Sequence, residues 1–181
     1  MKKHVLFIQG GGDKGYEADA VLVESLSATL GGGYEMHYPL LQTNESVSDF
    51  GWPQQIGEAI NKIDGDVILV GHSLGASLIL KYLSEANISK KINGVFLLAT
   101  PFWSGEEEWV NGLKLRNGFA DRLPADVPVF FYHSKDDKEV PVGQLSLYAE
   151  KLPRANIREV KEGGHQFNND LGFLALDIKG L

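Results

Sequence analysis

The stretch Gly71-His72-Ser73-Leu74-Gly75 constrains this chain most, because the apolar run Val67-Ile68-Leu69-Val70 leads into it and an amphipathic segment beginning Ala76-Ser77-Leu78-Ile79-Leu80 follows. Strand, sharp turn and helix must succeed one another there without a loop. A serine at such a turn takes a strained backbone conformation that lifts its hydroxyl above the sheet, and glycines two residues to either side remove the Cβ atoms that would collide. The pentapeptide reads as a nucleophile elbow.

Around it, strand-like apolar runs alternate with segments of helical period, the pattern of a parallel sheet with helices on both faces. Strands are expected at residues 4–8, 35–38, 67–70, 95–99, 129–132 and 157–160, and helices at 17–30, 53–63, 74–86, 106–110, 142–152 and 169–179. Gly31-Gly32-Gly33 stops the first helix and Pro153 the fifth. The expected fold is an α/β three-layer sandwich on a mostly parallel six-stranded sheet, one domain over residues 1–181. A chain of 181 residues, 43% hydrophobic, is long enough to build one such core.

A net charge of -7, with no cluster of Lys and Arg, argues against a nucleic-acid or anionic-membrane surface and favours a small-molecule partner. Apolar runs are of strand length only, so no membrane span is expected, and the start Met1-Lys2-Lys3-His4 lacks the apolar core of a signal segment. A cytoplasmic location is expected. The absence of cysteine removes disulfide and thiolate chemistry. Oligomeric state is not legible.

A serine nucleophile needs a base to take its proton and an acid to orient that base, each in a loop after a strand. Beyond the fifth strand lies His133-Ser134-Lys135-Asp136-Asp137-Lys138-Glu139-Val140-Pro141, and beyond the sixth Gly163-Gly164-His165. Acid and base follow the serine in the required order, at the sheet edge where such loops converge on a ligand.

Together, Gly71 to Gly75, the Asp-x-x-Val-Pro of Asp137 to Pro141 and the Gly-Gly-His of Gly163 to His165 make the chain resemble the α/β-hydrolase superfamily, in particular its small cap-less serine hydrolases of the retinoblastoma-binding-protein-like type. The resemblance covers nearly the whole chain. It implies a minimal fold without a lid domain, Ser73 as nucleophile, His165 as base and Asp137 as orienting acid, with Asp136 the competing acid, otherwise a turn residue holding local backbone. It implies hydrolysis of a small carboxylic ester or related acyl bond, with no cofactor and no metal. Oxyanion donors are then expected at the Leu74 amide, where a helix begins, and at Gly11, with Gly12 second. Gln9 departs from the His that many relatives carry before this glycine.

Among the other histidines, His72 is expected to matter through its backbone more than its ring, His4 opens the first strand, His37 has a packing role, and His133, which precedes the acid in the chain, is expected to support the site without acting as its base. Tyr16, Trp52, Phe102, Trp103 and Phe167 are candidate walls of an apolar substrate pocket. Three rival readings exist. Gly10 to Gly15 satisfies G-x-G-x-x-G after a strand, as in a dinucleotide-binding protein, although Glu35 opens its strand where a ribose-binding acid should close it. A Walker A loop fails because Tyr16 follows Gly15. A metal site from His133, Asp136, Asp137 and His165, or a non-catalytic hydrolase-fold binder, are the others.

Overall fold

The computed structural model describes residues 2–181. Among these, six strands form one sheet: β1 (Lys3–Ile8), β2 (Tyr34–His37), β3 (Val67–His72), β4 (Ile92–Leu98), β5 (Val129–Ser134) and β6 (Asn156–Val160). Their order is β2-β1-β3-β4-β5-β6 and every neighbouring pair is parallel, so the sheet is fully rather than mostly parallel. Five α-helices accompany it: α1 (Gly15–Leu30), α2 (Trp52–Lys62), α3 (Leu74–Glu85), α4 (Gln144–Lys151) and α5 (Gly172–Lys179).

The helices divide between the two faces, and strand periodicity shows how. β3 is buried at all six positions. Its Val67 and Leu69 join Ile56 and Ile60 of α2, Leu80 and Leu83 of α3 and Tyr148 of α4, while Ile68 and Val70 join Leu22 and Leu26 of α1 and Leu174 and Ile178 of α5. Alternate residues thus feed opposite cores. Each fully buried aliphatic chain contributes about 1.5–3 kcal/mol, which makes the central strands the most firmly held part of the fold.

Three elements differ from expectation for local reasons. β4 starts at Ile92, three residues early, because the register with β3 passes from Val67↔Ile92 to Ile68↔Gly94 and leaves Asn93 as an extra residue. That bulge breaks the alternation that marks a strand. The last helix begins at Gly172 instead of Asn169, since Phe167, Asn168 and Asn169 have φ of 49°, 51° and 59°, outside the right-handed helix. The helix expected at 106–110 is a single 3-10 turn, Glu108–Val110. A second such turn, Phe119–Arg122, follows before β5, and no cap domain is inserted there among the described residues.

Candidate active site

The elbow forms because β3 runs directly into α3. Ser73 joins them at φ 51°, ψ -120°, and its amide donates to the Leu98 carbonyl at 2.8 Å, pinning the turn to β4. A non-glycine residue in such a region costs of order 1–3 kcal/mol and persists only where its surroundings impose it. They do so here through glycine: a Cβ on Gly71 would lie 2.8 Å from Ala76 Cα, and one on Gly75 would strike the Gln9 carbonyl oxygen and lie 2.7 Å from that of Ile8.

The loop after β5 brings Asp137 beneath His165. The Asp137 carboxylate is fully buried and accepts from the Glu139 amide at 2.9 Å and the Val140 amide at 3.0 Å through Oδ1. Its Oδ2 lies 2.9 Å from His165 Nδ1. Nδ1 therefore carries the proton donated to Asp137, and Nε2 is left for the cleft, where Glu139 Oε2 stands 3.7 Å away. Buried His133 donates from Nε2 to the Val140 carbonyl at 2.8 Å and lies 3.4 Å from Asp137 Oδ2, holding the acid loop from behind. Asp136 turns elsewhere. Its Oδ1 accepts from Ser134 Oγ at 2.5 Å and from the Gly163 and Gly164 amides at 3.0 and 2.8 Å, so it pins the loop that carries His165. The Ser134 hydroxyl and then the Gly164 amide hold its carboxyl below the usual range.

A buried network below the elbow is invisible in the sequence. Asp19, on α1, is wholly buried and lies 2.9 Å from His72 Nδ1 through Oδ1. Its carboxylate also accepts from the Gly10 amide at 2.6 Å and from Gln166 Nε2 at 3.1 Å. On the other side of the ring, His72 Nε2 donates to the His165 carbonyl at 2.9 Å. Both His72 nitrogens thus face oxygen atoms, of Asp19 on one side and of the His165 main chain on the other. The His72 ring is a bridge between the elbow, the first loop and the His165 loop, which corrects the expectation that its backbone matters more. An acid fifty-three residues upstream on a helix has no spacing that would announce it.

The same network bears on the first loop. Gly10 N–H is committed to Asp19, leaving Gly11 and Gly12, and a Cβ on Gly11 would lie 2.9 Å from the Leu74 side chain, so Gly11 sits against the elbow. A carboxylate already fills the place at Gly10 where a pyrophosphate would have to compete. Glu35 pairs with His4 near the start of β2, not at the strand end, so the dinucleotide reading lacks its ribose acid as well. Gln9 accepts the Leu41 amide at 3.1 Å, holding the chain beyond β2.

Ser73, Leu74, Gly11 and His165 line one open cleft of about 920 Å³. Tyr16 and Trp103 are on its wall, the latter fixed by its indole N–H donating to Ser77 Oγ at 2.9 Å. The other aromatic candidates are elsewhere. Trp52 and Phe167 are buried in the two cores, and Phe102 lines a separate depression with Leu115 and Phe119. Phe50, Trp109 and Leu113, which the sequence did not single out, take their place on the cleft wall. Trp109 meets Trp103 edge to face, ring centroids 5.7 Å apart. An aromatic in a loop gives no sign of whether it turns inward or outward, which is why these were not separable earlier.

Residues 41–179 match the serine hydrolase family, a span that holds Ser73, Asp137 and His165. YdeN of Bacillus subtilis (strain 168), a protein described as a hydrolase, is 30% identical over 115 residues, which are 61% of this chain and 58% of YdeN. The crystal structure of the ydeN product superposes with a TM-score of 0.74 at 18% identity, covering 99% of this chain and 98% of that one. Mouse α/β hydrolase domain-containing protein 10 superposes at 0.71 and 18% identity, over 98% of this chain and 88% of that one. These superpositions show a shared fold. The chain has the α/β-hydrolase fold and belongs to the serine hydrolase family.

Proposed function

We propose that the protein hydrolyses small carboxylic esters by acyl transfer through Ser73, His165 and Asp137. His165 Nε2 takes the Ser73 Oγ proton as the oxygen attacks the acyl carbon, and Asp137 stabilises the imidazolium that results. The developing oxyanion is met by the amides of Leu74, at the start of α3, and Gly11. Collapse expels the alcohol with the proton from His165, leaving an acyl-Ser73. Water, activated by the same imidazole, then releases the acid and restores the serine.

The observation that carries this reading is the 2.9 Å contact from His165 Nδ1 to a fully buried Asp137, set in one cleft with a serine held at φ 51°. A fluorophosphonate probe should label the protein at Ser73, and Ser73→Ala should lose both the label and turnover of p-nitrophenyl butyrate. Adduct mapping to another serine, or equal labelling of the variant, rejects the assignment.

A further inference from the structure

Away from the cleft, three metal-ligating side chains meet at the β2 edge of the sheet. His4 stands on β1, and Glu35 and His37 on β2; the register pairs His4 with Glu35 and Leu6 with His37, so all three share one face. It is the face of Leu6 and Ile8, whose core neighbours come from α2 and α3. His4 Nδ1 lies 3.0 Å from His37 Nε2, with ring planes 41° apart. Glu35 Oε1 is 4.0 Å from the same His37 nitrogen, and one donor atom from each of the three lies within 4.8 Å of the others.

Two imidazole nitrogens this close present their donor atoms to one point between the rings, where a cation can be shared. An ion bonded to both nitrogens at roughly 2.0–2.1 Å would subtend an angle of about 95° across a 3.0 Å separation. That is close to the right angle of square-planar or octahedral sites, and two imidazoles with one carboxylate suit Ni²⁺, Cu²⁺ or Zn²⁺, not the all-oxygen preference of Ca²⁺ or Mg²⁺. The two histidines are half-buried and thus preset, whereas Glu35 is exposed and free to swing the last ångström.

We propose that His4, Glu35 and His37 bind a divalent first-row transition metal, which clips the four-residue edge strand β2 to β1. The clip sits at the root of the cleft wall: directly after His37, Tyr38 stacks on Tyr16 at 4.3 Å, and Leu40 and Leu41 follow along the cleft. It touches neither Ser73 nor His165, so it stands or falls independently of the hydrolase reading.

Titration calorimetry of the full chain with NiCl₂ should give one site per chain. His37→Gln and His4→Gln should each weaken it at least tenfold, and Ni²⁺ should raise the melting temperature of the wild type but not of these variants, because binding to the native state alone stabilises it. His165→Asn should bind like the wild type; loss of binding there, with His37→Gln unaffected, would put the ion in the cleft and overturn the proposal. On unmutated protein, paramagnetic broadening of amide NMR signals by Ni²⁺ should centre on β1 and β2. Broadening centred on Gly163 to Gln166, or no binding at all, overturns it equally.

Discussion

Asp136 and Asp137 are adjacent in the chain and differ in what their carboxylates touch. Asp137 reaches the His165 ring, Asp136 the backbone that carries it. Asp137→Asn should therefore lower kcat/KM by about 10³ to 10⁴, the scale for losing the acid of such a trio, and Asp136→Asn far less; a reversed ranking in steady-state kinetics would exchange their roles. Asp136→Asn should instead act on acid stability. The native carboxyl is held below its unfolded value of about 3.9, so its stabilisation is present above that pH and is lost as pH falls through the native value. Urea melts between pH 2 and 5 should show the wild type losing more stability than the variant over that window. The meeting of Asp137 and His165 was legible because acyl chemistry calls for an acid beside a base, and a sheet with such a strand-turn-helix puts the two in loops after later strands. Asp19 and the His72 ring were not, since a buried bridge depends on packing that no local spacing records. Leaving a buried polar group without its partner costs about 1–3 kcal/mol, so Asp19→Asn and His72→Gln should each lower the urea midpoint. Both should also slow fluorophosphonate labelling, through the His165 carbonyl that His72 holds.

Elements were legible wherever periodicity was clean and lost their edges where backbone irregularity intervened. β1, β3 and β5 each contain a run of four apolar residues, and the starts of α2 and α3 are marked by Pro53 and by the elbow. Neither the bulge at Asn93 nor the left-handed run from Phe167 to Asn169 alters the residue pattern, so the starts of β4 and α5 differ from those the sequence suggests. The tightest joint between elements is where α3 leaves the sheet, with Gly75 pressed on the end of β1. Gly75→Ala cannot be accommodated by a side-chain rotation, because the obstacles are the main-chain carbonyls of Ile8 and Gln9. It should destabilise by at least the roughly 1–3 kcal/mol typical of overpacking, read as a lower denaturant midpoint. Gly33→Ala, at an exposed position with nothing within 4 Å of the new methyl, should leave that midpoint unchanged.

At the scale of the whole molecule, the segment between β4 and β5 forms one wall of the cleft that Ser73 lines. In this chain it is tied down in several places: the Phe102 amide donates to Gln144 Oε1 at 2.7 Å, the Trp103 indole to Ser77, and the Pro101 carbonyl accepts Tyr148 OH at 2.8 Å. Gly112 packs so closely on the Ser48 backbone that a Cβ would not fit. A segment held at its start and in its middle lines the cleft without closing over it, and Trp109 is left 59% exposed at its rim. An open cleft buries little of a long acyl chain, so lengthening the chain adds solvent-exposed methylenes and little binding energy. Short activated esters such as p-nitrophenyl acetate and butyrate should therefore outrun the palmitate. Rates should also pass smoothly through the concentration at which substrate aggregates, because no cover has to open at an interface. A chain-length series measured on both sides of that concentration checks this. A jump on crossing it, or a preference for the longest chains, would mean that residues 101–127 move as a lid despite these ties.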